Sequence, residues 1–264
     1  MFCKKGRGEP ELSILKIHPE SYYSYSKPQL GFAKEFAQII ETRCIILTDE
    51  SIREFTGYLL EGNERLAWAF LDRNRFRSRK EVFEEIITPS MRHVGEMWEN
   101  NEITVADEHI ATGVCDFLIS RLYPPAGPAD SMQVKKAMFL CVEGEAHYLG
   151  LKMAHLLFEE HGWDTLYFGP NLPLEYAAKK AADWKPDVIG LSVSIVYNLP
   201  MVKSYINELS KLSNRPAIIL GGRMAGKYNS MEDAGEVYIV EDLSSLENWV
   251  KTIGTGERWN AYQS

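Results

Sequence analysis

The sequence lacks several features that would quickly assign it to a class of protein. Its apolar runs are far shorter than the roughly 20 residues that a transmembrane helix needs. No apolar core follows the basic residues near the N-terminus, so we expect no secretion signal. The four cysteines form no C-x-x-C pair, which is typical of reduced thiols in a cytoplasmic protein. We expect Cys115 and Cys141 to be core residues.

Positive charge is scarce as well. With 29 Lys and Arg against 37 Asp and Glu, the 264-residue chain has a formal net charge of −8, which argues against direct binding of nucleic acid. The dinucleotide fingerprint G-x-G-x-x-G does not follow the first predicted strand, and the phosphate-binding loop G-x-x-x-x-G-K-[ST] is missing. The serine-hydrolase motif G-x-S-x-G is missing too. NAD, ATP and serine-hydrolase chemistry are therefore poor predictions.

Hydrophobic periodicity divides the chain into an N-terminal arm and two domains. Residues 1–47 mix Gly, Pro, Ser and Tyr, and we interpret them as an arm of uncertain structure. Residues 48–123 have apolar residues at helical spacing, which predicts an all-α cap domain in the form of a four-helix bundle. The composition of residues 123–131 is typical of a linker.

Two local signals refine the helical cap. Pro89 lies inside a helical pattern and predicts either a kink or a helix restart with Thr88 as its cap. Thr104 followed by Asp107 predicts an approximate capping box at the start of the last cap helix.

The second domain has a different pattern. Residues 132–254 alternate apolar strands with helical segments in five βα units, and the region around KYNSMEDAG is predicted to be helical. This alternation predicts an α/β fold with a doubly wound, parallel, five-stranded sheet of the flavodoxin or Rossmann-like type. Loops at the carboxyl ends of such strands are where ligands bind.

The loop after the first strand carries a candidate ligand motif, Glu145-x-His147-x-x-Gly150. A neutral imidazole is a good ligand for a transition metal, and a nearby acidic group can accept its other N–H. Gly150 would let the helix begin close to a bulky group. The alternative is a solvated loop with an incidental histidine. We expect His155 and His161, further along the helix, to be surface or edge residues.

Three other strand ends carry small or polar residues. Gly169 follows the second strand, Ser192 and Ser194 the third, and Gly221 and Gly222 the fourth. Each of these positions alone is explained by a tight turn. Because the strand ends meet at one edge, their convergence favours a ligand site.

The cap contributes another candidate group. Trp98 ends one predicted helix, and Glu108 and His109 lie in the first turn of the next, so the three residues can meet at one end of the bundle. The helix dipole there favours the carboxylate and disfavours an imidazolium, which biases His109 towards the neutral, ligating form. The alternative is a core tryptophan with two surface polar residues.

Together these residues resemble the cobalamin-binding module of methionine synthase, corrinoid methyl carriers and CarH-type light-sensing regulators. The resemblance covers about residues 48–250. The carrier motifs Asp-x-His-x-x-Gly, Ser-x-Leu and Gly-Gly correspond in order to Glu145-Ala-His147-Tyr-Leu-Gly150, Ser192-Val-Ser194 and Gly221-Gly222. The Glu in place of Asp, and the spacing from Trp98 to Glu108-His109, resemble the light sensors more than the carriers.

The resemblance implies a role for each residue around a bound cobalamin. His147 would be the lower axial ligand of cobalt in place of the cofactor's dimethylbenzimidazole, which would lie between sheet and helix. Glu145 would anchor or orient that ligand, and the channel for the nucleotide tail would be lined by Ser192, Gly221 and Gly222. Trp98 would cover the upper face, flanked by Glu108 and His109. Adenosylcobalamin is favoured over methylcobalamin.

The sequence departs from the light sensors in two places. Many of them have a histidine directly after the tryptophan, where this chain has Glu99. Residues 1–47 are too few for the winged-helix DNA-binding domain that those regulators commonly carry. The resemblance therefore implies a regulator, rather than an enzyme, that signals through a partner protein or a change of homo-oligomeric state.

Other functions stay open at this point. The chain could be a corrinoid carrier that serves separate methyltransferases, because it contains no methyltransferase barrel of its own. It could also be a storage module without switching, or a flavodoxin-like protein that does not bind cobalamin.

Overall fold

The computed structural model describes residues 47–74, 77–122, 134–228 and 237–254, with side chains to residue 252. The predicted arm, apart from residue 47, and the predicted linker from residue 123 onward lie outside the described residues. None of the helices in the described ranges is long and apolar enough to cross a membrane.

The described part of the cap is helical, as predicted. Its helices are α1 (Asp49–Leu60), α2 (Glu64–Arg73), α3 (Arg79–Val82), α4 (Thr88–Glu99) and α5 (Val105–Leu122), with a π-helical turn (Phe83–Ile87) between α3 and α4. Since α3, the π turn and α4 form one continuous helical run, the described cap is a four-helix bundle. Its apolar stripes bury a shared core that includes Phe55, Leu59, Ile86, Val94 and Leu118.

The π turn removes one of the two alternatives predicted at Pro89, the helix restart. Thr88 has helical backbone angles and is not the N-cap of the following helix, so the helix does not restart there with Thr88 as its cap. Instead, the Thr88 N–H donates to the carbonyl oxygen of Phe83, five residues earlier. Proline has no N–H to continue the regular ladder, and the wider turn directly before Pro89 accommodates this loss without ending the helix.

The predicted start of α5 is confirmed. The backbone N–H of Thr104 donates to the Asp107 carboxylate at 2.8 Å, and the Asp107 N–H donates back to the Thr104 hydroxyl at 3.4 Å. This reciprocal pair fixes the first turn of α5, on which two candidate site residues lie.

The second domain contains the predicted parallel sheet. In the described residues its strands are β1 (Lys136–Val142), β2 (Asp164–Leu172), β3 (Val188–Ser192), β4 (Ala217–Gly221) and β5 (Tyr238–Ile239), in the spatial order β2-β1-β3-β4-β5. All neighbouring strands are parallel. This is the doubly wound, flavodoxin-like order, and it confirms the predicted fold class.

Helices cover both faces of the sheet. They are α6 (Leu149–Glu160), α7 (Leu174–Trp184), α8 (Leu199–Leu209), α9 (Ala225–Tyr228) and α10 (Leu243–Gly254). One face of the sheet packs against α7, α8 and α9, and the other against α6 and α10. Helix α9 covers part of the segment KYNSMEDAG, and residues 229–236 lie outside the described residues. Cys141 in β1 is buried, as is Cys115 in α5, which confirms both as core residues.

The cap and the sheet domain share one apolar core, because Met153 and Leu156 of α6 pack into the cap cluster. Polar contacts cross the same boundary. The Glu84 carboxylate accepts hydrogen bonds from the Ser244 N–H at 2.7 Å and the Ser244 hydroxyl at 2.9 Å, at the start of α10. Lys80 lies 3.1 Å from the Glu247 carboxylate. A cap side chain therefore satisfies an N–H at the N-terminus of a helix in the other domain.

Candidate functional site

The Glu145-x-His147 motif forms a close pair at the carboxyl end of β1. The His147 Nδ1 lies 2.6 Å from Oε1 of Glu145, and the His147 backbone N–H donates to the same oxygen at 3.0 Å. Glu145 is fully buried, whereas the His147 side chain is 44% exposed. The His147 imidazole is thus partly exposed at the edge of the sheet, while the carboxylate that holds it is buried.

The second oxygen of Glu145 binds the loop after β3. Its Oε2 accepts hydrogen bonds from the backbone N–H groups of Ser194 at 2.8 Å and Ile195 at 3.2 Å, and from the Asn198 side-chain amide at 3.2 Å. With the two bonds from His147, the carboxylate accepts five hydrogen bonds. It therefore joins two strand-end loops that lie about 50 residues apart in sequence.

The charge of Glu145 is stabilised by these contacts. Burial alone would raise its pKa, but the hydrogen bonds from the His147 side chain, the Ser194 and His147 N–H groups and Asn198 outweigh it and lower the pKa to about 2. Glu145 is thus a carboxylate at neutral pH and can only accept hydrogen bonds.

This arrangement fixes the chemistry of His147. Because the carboxylate accepts from Nδ1, that nitrogen carries a proton and Nε2 of a neutral ring keeps its lone pair. A carboxylate on the second ring nitrogen is the usual way in which proteins orient a metal-binding histidine and raise its basicity. His147 can therefore serve as a single nitrogen ligand on the exposed side of the sheet edge.

The structure brings Ser194, Ser192 and the glycine pair to the same edge. Ser192 ends β3 and pairs in register with Cys141 of β1 and Gly221 of β4. Gly222 has a φ of +99°, and a Cβ there would lie 2.3 Å from the carbonyl oxygen of Val193. The glycine requirement at position 222 is therefore explained by close approach of this chain's own backbone, which is the tight-turn alternative.

Gly150 and Gly169 have separate surroundings. Gly150 lies in the first turn of α6, and a Cβ there would meet nothing within 4 Å, so the structure leaves open space beside it. Gly169 is buried in β2 with a φ of +72°, at a shift in register between β1 and β2. Its positive φ explains the glycine without a ligand.

The cap residues lie on the surface near the end of α4 and the start of α5. Trp98 is 50% exposed, so it is not a core tryptophan. The His109 side chain is 76% exposed, and its Nδ1 lies 2.8 Å from the carbonyl oxygen of Val105 and 3.0 Å from the Glu108 carboxylate. Both contacts need a proton on Nδ1, which leaves Nε2 as the lone-pair nitrogen of a neutral ring.

Ion pairs connect these cap helices to the sheet domain. Glu99, next to Trp98, lies 3.7 Å from Arg223, which follows Gly222. Asp116 lies 2.5 Å from Lys152 of α6. Asp116 is seven residues beyond His109 and thus on the same face of α5, so that face of the helix is directed towards α6.

Sequence reasoning missed residues that hold the His147 loop. Asn198 was not distinguished from an ordinary loop residue, and neither was Asn171, whose side chain accepts from the Gly144 N–H at 2.8 Å. Tyr205 of α8 accepts from the Glu143 N–H at 3.1 Å, although its spacing is that of a plain core residue. The left-handed backbone of Asn171 gives no sequence signal beyond the general tolerance of asparagine.

His155 corrects a prediction, because it lies largely buried between α6 and β2 rather than at the surface or an edge. Thr165 donates its hydroxyl to Glu159 at 3.0 Å and therefore accepts from Nε2 of His155 at 2.8 Å. The buried Nδ1 of His155 and the buried hydroxyl of the adjacent Tyr167 have no hydrogen-bond partner in the described part of the chain. The Thr165 hydroxyl, itself hydrogen-bonded to Glu159, satisfies Nε2 of the buried His155 ring.

A family model described as B12 binding domain matches residues 135–243, and a second model of the same description matches residues 51–123. Over these two segments the chain belongs to the B12 binding domain family. The two matches cover the sheet domain and the cap, so the cobalamin module includes both.

Relatives differ in how much of their length corresponds to this chain. The chain is 25% identical over 175 residues to the HTH-type transcriptional repressor CarH of Myxococcus xanthus, covering 66% of this chain but only 56% of that protein. It is 22% identical over 184 residues to dimethylamine corrinoid protein 1 of Methanosarcina acetivorans, covering 67% of this chain and 85% of that protein. Cobalamin binding is supported by both the family models and these relatives.

A solved structure supports the fold. The monomethylamine corrinoid protein of Methanosarcina barkeri matches with a TM-score of 0.63 at 15% identity, over 77% of this chain and 98% of that chain. At this identity the likeness concerns the fold alone.

The residues at the sheet edge fit a cobalamin. His147 would hold the cobalt of a cobalamin through a nitrogen lone pair, because Glu145 fixes the orientation of its ring. His155 offers an acceptor and Tyr167 a donor, both buried and without a partner in the described residues, between α6 and the sheet.

Proposed function

We propose that this chain is a cobalamin-binding regulatory protein that uses adenosylcobalamin to sense light and signals through a partner protein or a change of oligomeric state. The observation that carries the cobalamin site is the half-exposed His147 imidazole, fixed by a buried carboxylate at the edge of a flavodoxin-like sheet. The relation to CarH supports the regulatory reading.

In this proposal His147 would hold cobalt through Nε2. Glu145 holds the proton on Nδ1, and its five hydrogen bonds keep the carboxylate from turning away when the ring takes a ligand. The low pKa of Glu145 supports this role, since the anchor stays ionised across the physiological range.

The nucleotide tail of the cofactor would enter between α6 and the sheet, past Ser192 and the Gly221-Gly222 pair. Support comes from the two partnerless polar atoms in that layer, Nδ1 of His155 and the hydroxyl of Tyr167. Burial lowers the pKa of His155, so its ring is neutral and Nδ1 is an acceptor. Buried polar groups in proteins normally have partners, and hydrogen-bonding groups of the tail would supply them.

The cap would cover the upper side. Trp98 offers an exposed aromatic surface, and Glu108 with His109 lies at the start of the next helix. Adenosylcobalamin supplies a cobalt–carbon bond that visible light can cleave. Loss of the adenosyl group would remove a contact of Trp98, and the cap would shift against the sheet domain.

The boundary between cap and sheet domain holds contacts of different strength. Besides the shared apolar core and the Glu84–Ser244 hydrogen bonds, it includes the exposed ion pair between Glu99 and Arg223, which contributes little to stability and could break in such a shift. A shift of the cap would change the surface that a partner protein or a second copy meets.

The second candidate is a corrinoid carrier that exchanges methyl groups with separate methyltransferases. One observation favours it: the alignment with dimethylamine corrinoid protein 1 covers 85% of that protein, whereas the alignment with CarH covers 56%. A carrier would prefer methylcobalamin, and it would turn over when a methyl-donor enzyme is added.

The deciding experiment is spectroscopic. The protein is reconstituted with adenosylcobalamin in the dark, and its absorbance spectrum and its size by gel filtration are recorded before and after green light. A sensor changes both, and a His147→Ala variant gives a dark spectrum without the protein ligand. Tight binding with no change in spectrum or size beyond that of free adenosylcobalamin would remove the sensor proposal. Failure to bind any cobalamin would remove the carrier proposal as well.

A further inference from the structure

The loop that carries His147 is held by groups outside the Glu145–His147 pair. The N–H of Glu143 donates to the hydroxyl of Tyr205 at 3.1 Å, and the N–H of Gly144 donates to the side-chain oxygen of Asn171 at 2.8 Å. These acceptors come from α8 and from β2 near its end. The backbone before His147 is therefore tied to two other elements of the sheet domain.

Tyr205 uses both capacities of its hydroxyl. While the oxygen accepts from Glu143, the O–H donates to the carbonyl oxygen of Leu172 at 2.5 Å. The side chain is 1% exposed, and burial raises its pKa, so the hydroxyl stays protonated and able to donate. One atom thus links the end of β1 to the end of β2.

Asn171 holds the same loop from both sides. Its side chain accepts from Gly144, and its backbone N–H donates to the carbonyl oxygen of Glu145 at 3.1 Å. The residue has a φ of +57°, a left-handed conformation that asparagine tolerates better than most residues. This conformation presents the side chain and the N–H of Asn171 to one short stretch of loop.

We propose that Tyr205 and Asn171 are positioning residues for the axial histidine: they fix the loop backbone so that His147 reaches cobalt without first becoming ordered. The inference rests on the proposed role of His147 as a lower ligand. A ligand held in its bound geometry binds more tightly, because the entropy of ordering has already been lost on folding.

The test measures histidine ligation directly. Protein labelled with ¹⁵N-histidine is loaded with cob(II)alamin, and electron paramagnetic resonance reports, from the nitrogen splitting, the fraction of cobalt bound to histidine. We expect Tyr205→Phe to bind cobalamin with a ratio of histidine-on to histidine-off about three- to tenfold below the wild type, because the substitution removes both hydrogen bonds of the hydroxyl, from the Glu143 N–H and to the Leu172 carbonyl oxygen. Tyr58→Phe is the control, because it removes a tyrosine hydrogen bond, to Glu54, in the cap.

Asn171 gives a second pair of variants. Asn171→Gly accepts the positive φ but loses the contact with Gly144, so we expect a similar fall in the ratio. Asn171→Asp keeps an acceptor oxygen and should restore the ratio to near the wild-type value. Because Asn171 is exposed, these variants keep the test valid if Tyr205→Phe fails to fold.

The outcomes separate this inference from the function on which it rests. A wild-type ratio in both Tyr205→Phe and Asn171→Gly would overturn the positioning role and leave the ligand role of His147 intact. A wild-type spectrum without the ¹⁵N splitting of histidine would overturn the ligand role, and the inference with it. Equal losses in Tyr58→Phe and Tyr205→Phe would show a general loss of stability and would also overturn it.

Discussion

The sheet edge and the end of the cap differ in how far their candidate residues are buried and hydrogen-bonded within the protein. At the sheet edge, Glu145 is fully buried and accepts five hydrogen bonds from its own chain. At the cap end, Trp98 and His109 are exposed. The lower side of the proposed site is thus rigid before a ligand arrives, whereas the upper side leaves aromatic surface uncovered.

In the proposed function, this difference corresponds to two separate roles. A rigid anchor suits a ligand that stays in place, such as a histidine that holds cobalt. An exposed aromatic ring suits an upper ligand that binds and is released, because the ring makes contacts only while that ligand is bound.

The largest expected effect is at the rigid side. Glu145→Ala leaves half-buried donors from the β3 loop without their acceptor, so we expect the free energy of unfolding to fall by about 3 kcal/mol. Urea denaturation of the protein without cobalamin measures this. Glu143→Ala, in the same loop but exposed, should change the value little. Equal effects of the two substitutions would contradict a special role for the carboxylate.

Acid should weaken the same side. The pKa of Glu145 is lowered from 4.5 to about 2 in the folded protein, so its stabilising contribution is complete above about pH 4.5 and disappears as the pH falls towards 2. The contribution that is lost is about 3 kcal/mol. Urea denaturation at several pH values, compared between the wild type and Glu145→Gln, isolates it. An identical acid dependence in the two proteins would show that Glu145 is not responsible.

A smaller effect is expected at the boundary between the domains. Glu84→Ala removes the acceptor for the first turn of α10, and we expect a loss of about 1 kcal/mol. A double-mutant cycle with Ser244→Ala should give effects that are not additive, because the two residues contact each other. Additive effects would mean that the contact does not couple the domains.

The smallest effect on stability is expected at the open side. Trp98→Phe replaces a half-exposed ring, so the free energy of unfolding without cobalamin should change by less than about 0.5 kcal/mol. Affinity for adenosylcobalamin should nevertheless fall, while affinity for aquacobalamin, which has no adenosyl group, should not. Titration calorimetry with both forms checks this, and parallel losses for the two would place Trp98 away from the upper ligand.

The sequence was most informative where the pattern is local. Strand and helix alternation predicts the order of elements in the sheet domain, and the Thr104–Asp107 pair marks the start of α5, because both signals lie within a few residues. The π turn was not predictable: the proline at position 89 shows that a regular hydrogen bond is lost, but several backbone geometries can absorb that loss.

The site was predictable only in part for the same reason. His147 and Glu145 lie two residues apart, so a hydrogen bond between them could be anticipated. The contacts of Glu145 with Ser194 and Asn198 cross about 50 residues and exist only because β1 and β3 are neighbours in the sheet. His155 has the spacing of an edge residue, and only the fold shows that Thr165 meets it there.

The π turn at Phe83–Ile87 also sets the direction of everything after it on the same helical run. Each residue of an α-helix advances the chain by about 100° around the axis. The wide turn holds one residue more than a regular turn. It therefore sets the angular position of Trp98 around the helix axis, eleven residues after the turn ends. Deleting a single residue there would swing the tryptophan by about a quarter of a circle while leaving its chemical neighbours in sequence unchanged. The length of this short segment therefore sets the direction in which Trp98 projects.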